Sequence, residues 1–235
     1  MRWWVVMVGT ANATKMMTWN LWNERFSTVA WEDRVPSIRA AVRQLAPDVL
    51  ACQEVTRSMV DGLGDMGELV YQTRFEASDN STGEGLMVWS RYPIEFEMRS
   101  VLPAGASDTH GRMLQLVQTN GVRVCNTHLA YDRADAATQL LWLLEHARGC
   151  DVLMGDLNVY ADDAGPATLW GAYGWIDAGS KPTCCGDPKT NPVDRILVSV
   201  QRFAVGAMST RTIDDPGSDP SAVTADVERS SIRGT

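Results

Sequence analysis

Short apolar runs recur along this chain, and polar residues cluster where each run stops. Lys15–Leu21 reads as a strand that ends at Trp19-Asn20. Helical spacing follows over Arg34–Leu45, with Val35, Ile38, Ala41, Val42 and Leu45 on one face. Pro47-Asp48 breaks that helix, and Val49-Leu50-Ala51-Cys52 is a short buried strand running into Gln53-Glu54. Leu86–Trp89 is another strand, stopped by Arg91-Tyr92-Pro93. Met113–Gln118 and Val122–Thr127 form a hairpin around Thr119-Asn120-Gly121, because Asn-Gly suits the left-handed positions of a tight turn. Ala136–Arg148 is helical, and Cys150–Met154 is a strand ending at Gly155-Asp156. Arg195–Val200 and Ala222–Val227 are the last strands.

A strand–helix–strand start followed by hairpins predicts a layered α/β sandwich rather than a wholly parallel wound sheet. No repeat or linker divides the chain, so a single domain is expected over 15–229, with 1–14 as an extension and 230–235 as a tail. The apolar run Trp3–Gly9 is shorter than a signal peptide and much shorter than the roughly 20 residues needed to span a bilayer. No other run is long enough for that either. The expected protein is monomeric and cytoplasmic, with secretion left open by the short apolar N-terminus.

Charge narrows the partners. A net charge of −8 argues against a broad basic face that grips nucleic acid through its phosphates. It leaves DNA or RNA open as a substrate, since a bound cation reverses the sign of an acidic cleft locally. The five cysteines show no zinc spacing, and Cys52 and Cys125 fall inside strand-like runs. Mostly reduced, buried thiols are expected, with the adjacent Cys184-Cys185 a feature of a loop. Most of the nine tryptophans read as core, while Trp19, Trp22 and Trp89 near strand ends are candidates to stack on a base.

The candidate chemistry lies at the strand ends: Asn20, Glu54, Arg112, His128, Asp156, Asn158, Asp194 and Asp219. Taken singly each is weak, since a lone Glu after a strand is usually a solvated loop residue and a lone His is usually structural. In order they form the words Thr18-Trp19-Asn20, Gln53-Glu54, Thr127-His128-Leu129, Gly155-Asp156-Leu157-Asn158 and Val193-Asp194-Arg195-Ile196. That series resembles the endonuclease/exonuclease/phosphatase superfamily, to which apurinic endonucleases, pancreatic-type deoxyribonucleases and bacterial sphingomyelinases belong. The resemblance runs from about Lys15 to Val227.

The resemblance implies a four-layered α/β sandwich, with two mostly antiparallel sheets packed face to face and helices outside. It implies a phosphoesterase using Mg²⁺ or Mn²⁺, hard cations that suit oxygen ligands and need only one or two carboxylates. By the same resemblance Glu54 is the main metal ligand, supported by Asn20 and assisted by Asp219. Asp156 orients and deprotonates the attacking water, Asn158 and His128 hold the phosphate, and Arg112 lies near it. Asp194 orients the histidine of a closing Ser-Asp-His motif.

Here that motif reads Ser218-Asp219-Pro220. Proline cannot transfer a proton or donate a hydrogen bond, so a weakened rate is expected. Of the other histidines, His146 reads as a helix-end surface residue, and His110 stands two residues before Arg112, within reach of the cleft. Three readings therefore stand side by side: a nuclease-like phosphodiesterase impaired at 220, a catalytically silent module that keeps the phosphate and metal cleft, and a phosphatase of a small metabolite or lipid headgroup.

Overall fold

A computed structural model describes residues 13–79, 81–160, 164–178, 182–184, 191–201, 203–204, 211–213 and 222–229. The element order is β1 (Thr14–Asn20), α1 (Trp31–Leu45), β2 (Val49–Val55), α2 (Arg57–Leu63), β3 (Tyr71–Gln72), β4 (Gly85–Ser90), β5 (Ile94–Val101) and β6 (Met113–Thr119). It continues through β7 (Val122–His128), α3 (Arg133–His146), β8 (Val152–Asp156), α4 (Ala164–Ala172), β9 (Trp175–Asp177), β10 (Asp194–Ser199), β11 (Phe203–Ala204), β12 (Arg211–Ile213) and β13 (Ala222–Arg229).

Two sheets form. One runs β11-β13-β1-β2-β4-β3 with β12 also on β13, and the other runs β5-β6-β7-β8-β10-β9. All pairings are antiparallel except β1 with β2 and β7 with β8. The inner faces meet through small, branched and thioether side chains, Met16, Val49, Ala51 and Val88 against Val117, Val124, Val152, Met154 and Ile196. α1 and α2 cover the outside of the first sheet, and α3 and α4 cover the outside of the second. The four-layered sandwich expected from the resemblance is the fold of this chain.

The local causes are readable. α1 buries the stripe Trp31, Val35, Ile38, Val42 and Leu45 on its sheet, carries Glu32 and Asp33 in its first turn, and stops at a left-handed Ala46 before Pro47. α3 is capped by Asp132, whose carboxylate accepts the amides of Ala134 and Asp135. The β6–β7 turn has positive φ at both Asn120 and Gly121, as the Asn-Gly pair predicts.

One buried polar cluster ties the sheets together beneath the strand ends. Gln53 Nε2 donates to Asn126 Oδ1 at 2.8 Å, and Asn126 Nδ2 reaches the carbonyls of Cys52 and Met87 and the Gln115 side chain at 3.2 Å each. These side chains are fully buried, so their hydrogen bonds to one another help fix how the two sheets register at that end.

Two expectations need correction. Cys125 and Cys150 are joined in a disulfide, and Cys184 is also disulfide-bonded, so the thiols are not all reduced. The pairing follows from topology: Cys125 lies on β7, and Cys150 leads into the adjacent parallel strand, bringing their Cα atoms to 5.9 Å. Cys52 keeps a free, buried thiol, and burial pushes it well above the usual range. Trp19 and Trp89 are core residues rather than stacking platforms, being buried under the helices of the first sheet.

Candidate active site

The two parallel strand pairs determine where the site forms. In the β1/β2 pair Asn20 stands opposite Gln53, one residue before Glu54. In the β7/β8 pair His128 stands opposite Asp156, and across β8 Asp194 also stands opposite Asp156. Residues far apart in sequence thereby share one end of the sandwich. Gly155 makes the second pairing possible, because a Cβ there would lie 1.9 Å from the Thr127 carbonyl oxygen, and its φ is +147°.

The backbone is bent where it carries these groups. Glu54 has φ +55° and sits in a β-bulge between Cys52 and Val55 that swings its carboxylate out of the ladder. Trp22 and Asn158 are also in the left-handed region, both at φ +47°. Left-handed non-glycine residues cost roughly 1–3 kcal/mol each and gather at functional sites.

Asn20 bridges the two acids. Its Nδ2 donates to Glu54 Oε1 at 2.8 Å and to Asp156 Oδ2 at 3.0 Å, while its Oδ1 accepts the Trp22 amide at 2.9 Å. The other Glu54 oxygen accepts the Asn23 amide at 3.1 Å. Asp156 is buried, and burial together with the Glu54 charge pushes its carboxyl up to about 6 against the hydrogen bonds from Asn20 and the Asn158 amide.

His128 presents its Nε2 3.7 Å from Asp156 Oδ2 and 4.0 Å from Glu54 Oε1. Its Nδ1 is 2.9 Å from Arg112 Nη1, and arginine only donates, so Nδ1 is the acceptor and Nε2 carries the proton. Burial, then the positive charges of Arg112 and His110, hold this ring well below the usual histidine range, and it is neutral. Arg112 is itself fixed by the buried Asp108, which takes Nη2 at 2.8 Å and Nε at 3.2 Å.

The resulting cleft has a volume of about 290 Å³ and is lined by Asn20, Glu54, Arg112, His128, Asp156 and Asn158, all expected from the sequence. Asn158 reaches the cleft through an Asx turn on Asp156 and donates its Nδ2 to the Leu129 carbonyl at 3.0 Å. Asp194 is fully buried beside Asp156 and is not part of the cleft wall. Asp219 and Pro220 lie outside the described residues.

Six further lining residues were not singled out as site residues: Trp22, Phe26, Glu84, His110, Tyr131 and Cys184. Of the three tryptophans read as stacking candidates, only Trp22 reaches the cleft. Glu84 shares it because β4 runs antiparallel to β2, with Gly85 opposite Val55, so the start of one strand meets the end of the other. A search of C-terminal strand ends passes over such a residue. Burial and the Glu54 charge raise its carboxyl, and Asn23 Nδ2 donates to it at 3.1 Å.

The donors suit a hard divalent cation. Glu54 and Asp156 offer oxygen in a buried, acidic setting, and Asn20 aligns both carboxylates through its amide nitrogen. Among the described residues no group of three His, Cys, Asp or Glu side chains is arranged to hold a metal ion.

A model of the Endonuclease/Exonuclease/phosphatase family matches residues 17–219. No curated protein matches the chain in sequence. An endonuclease/exonuclease/phosphatase from Bacteroides vulgatus is similar in structure, with a TM-score of 0.74 and 16% identity, over 93% of this chain and 100% of that one. Another from Beutenbergia cavernae DSM 12333 gives 0.71 and 22%, over 93% and 72% of the two chains. The 3′ phosphatase NExo from Neisseria, solved with a product DNA hairpin, gives 0.66 and 18%, over 92% and 100%. At such identities these likenesses establish the fold alone. The family model reaches from β1 to Asp219 and takes in every strand end that builds the cleft, and on that match the chain belongs to the endonuclease/exonuclease/phosphatase family.

Proposed function

We propose that the protein is a divalent-metal-dependent phosphoester hydrolase of the nuclease-like kind, breaking P–O bonds of a DNA or RNA substrate by attack of water. The observation that carries this reading is the meeting of Asn20, Glu54, His128 and Asp156 in one cleft, with Asn20 Nδ2 within 3.0 Å of both carboxylates. Mg²⁺ or Mn²⁺, when held by Glu54 with help from Asp219, supplies polarisation of the phosphoryl oxygen and relief of charge on the leaving oxygen.

Asp156 orients the attacking water and takes its proton, a task suited to a carboxyl pushed up to about 6. His128 donates Nε2–H to a non-bridging phosphate oxygen, and Arg112 on Nδ1 keeps it in that tautomer. Asn158, held close by its Asx turn, borders the same phosphate. By the resemblance Asp194 orients a histidine at 220, where this chain has Pro220, and a rate reduced relative to a site with all its groups is the expected consequence.

The test is an activity panel on the purified protein with and without Mg²⁺, using DNA, RNA, p-nitrophenyl phosphate, a sugar phosphate and a phospholipid. Metal-dependent, EDTA-sensitive turnover is expected, with a loss of about 100-fold or more in Asp156→Asn. No turnover of any substrate, or turnover indifferent to Asp156→Asn, overturns the reading. Phosphate binding without turnover is the outcome expected of the silent module that Pro220 suggests.

A further inference from the structure

His110 and Asp79 have no part in the water attack, yet they form a tightly built pair at the cleft. His110 Nδ1 is 2.6 Å from Asp79 Oδ2. Asp79 is 7% exposed, and its other oxygen accepts the amide and hydroxyl of Ser81, both at 2.7 Å. Burial pushes the Asp79 carboxyl up, but the Ser81 hydrogen bonds and the His110 ring outweigh it and leave the group at about 2. It is a fixed anion on the ring's Nδ1.

The backbone is shaped to make this pair. Asp79 precedes β4 on one sheet, and His110 precedes β6 on the other, so the contact joins the two sheets at the cleft. A Cβ at Gly111 would lie 2.1 Å from the Ser78 carbonyl oxygen, so the close passage that brings His110 to Asp79 requires glycine there. Asp108 accepts the His110 amide on Oδ1 at 2.9 Å while its Oδ2 holds the Arg112 guanidinium, so one buried carboxylate positions both residues. The ring lines the same cleft as Arg112, His128, Glu54 and Asp156, and meets Tyr131 edge-on at 6.4 Å.

With Nδ1 engaged by Asp79, the nitrogen left to meet a substrate is Nε2. The ring then stands between the Asp79 carboxylate and the cleft, where an N–H on Nε2 would donate to a phosphate oxygen. A phosphodiester has two non-bridging oxygens, which the cation and His128 Nε2–H serve. A terminal phosphomonoester has a third oxygen and a second negative charge.

We propose that His110, positioned by Asp79, is a substrate-contacting residue that binds the third oxygen of a terminal phosphate and biases the site toward phosphomonoester ends. This rests on the hydrolase reading of the cleft and narrows its choice of ester.

The experiment compares kcat/KM for p-nitrophenyl phosphate and bis(p-nitrophenyl) phosphate, which share a leaving group, in wild type, His110→Ala and Asp79→Asn, all with Mg²⁺. Calorimetry of inorganic phosphate binding to the same three Mg²⁺-loaded proteins runs alongside. His110→Ala is expected to lower the monoester value by about 10- to 100-fold, the size of one charge-assisted hydrogen bond, and the diester value by about twofold or less. Asp79→Asn shifts the ratio in the same direction, and both variants weaken phosphate binding. Equal losses on both esters, or an unchanged ratio, overturn the proposal. If wild type turns over neither ester, phosphate affinity decides, and unchanged affinity in His110→Ala refutes the contact, while the substrate panel above separately tests the hydrolase reading.

Discussion

Asp156 links stability to chemistry in a way that metal-free protein can report. Its carboxyl is held at about 6 in the folded state against a reference of 3.8. The folded protein therefore binds a proton more readily than the unfolded chain between those values, and stability falls as pH rises from about 4 to about 6. A gap of about 2 units corresponds to roughly 3 kcal/mol, fully lost above pH 6 to 7. Asp156→Asn removes that penalty but breaks one of two contacts, since Asp156 accepts from Asn20 on Oδ2 and from the Asn158 amide on Oδ1, and an asparagine offers a single acceptor. Subtracting about 1 kcal/mol for the lost hydrogen bond leaves a net gain of about 2 kcal/mol at pH 7.5. The assay is urea unfolding in EDTA at pH 4.5 and 7.5. Wild type should lose stability between the two values more steeply than the variant, and the variant should be the more stable at 7.5 while losing turnover. With Mg²⁺ added, wild type should gain more than the variant, because ligand bound only to the folded state stabilises by mass action. A variant that is less stable than wild type at pH 7.5, with the same pH slope, would refute the placement of Asp156 as a buried, strained base.

Gly155→Ala should cost several kcal/mol and abolish activity, because its Cβ would meet the Thr127 carbonyl at 1.9 Å and force β7 from β8; thermal unfolding and a metal-dependent assay check it. Asn126→Ala should destabilise by about 2–4 kcal/mol in chemical unfolding, since Gln53, Gln115 and two carbonyls lose a buried partner, and a change under 1 kcal/mol would contradict the role given to the cluster. Pro220→His should raise kcat with Mg²⁺ about tenfold or more, and Asp194→Asn in that background should remove the gain. The Cys125–Cys150 link should appear as a single cross-linked peptide pair by mass spectrometry of alkylated, unreduced protein, and Cys52 as a carbamidomethylated peptide only after denaturation.

The sandwich was legible because its strongest signals are local. Helical spacing announced the stripe of α1, Asn120-Gly121 announced the β6–β7 turn, and the apolar runs announced the central strands. What escaped was short or two-sided. α2 is seven residues long and depends on the Thr56 cap and on packing under α1. β5 is an edge strand whose Phe96 and Met98 remain half exposed, so it shows no buried face to read. The Cys125–Cys150 pairing also escaped, because it depends on two strands lying parallel and adjacent, a fact of topology that residue spacing does not contain.

The site divides along the same line. Residues at the C-terminal ends of strands announce themselves, since an apolar run followed by Asn20, Glu54, His128 or Asp156 is a visible motif. Residues that enter from the starts of antiparallel strands do not, and Glu84 and Asp79 both come in this way, ahead of β4. The consequence is functional. Strand-end motifs are shared by enzymes acting on many phosphoesters, because they hold the groups that any phosphate hydrolysis needs. On the proposed function, the groups delivered from strand starts and loops would border the substrate beyond the reacting atoms, where one ester differs from another. His110 is the instructive case: its ring is ordinary in sequence and is paired with Asp79 only because Gly111 lets its loop pass close to Ser78. On the proposed role of His110, substrate choice depends on the contact between the two sheets, and substitutions at Gly111 or Asp79 should alter which phosphate is accepted before they alter how it is hydrolysed, whereas a change at Asp108, which also holds Arg112, should alter both.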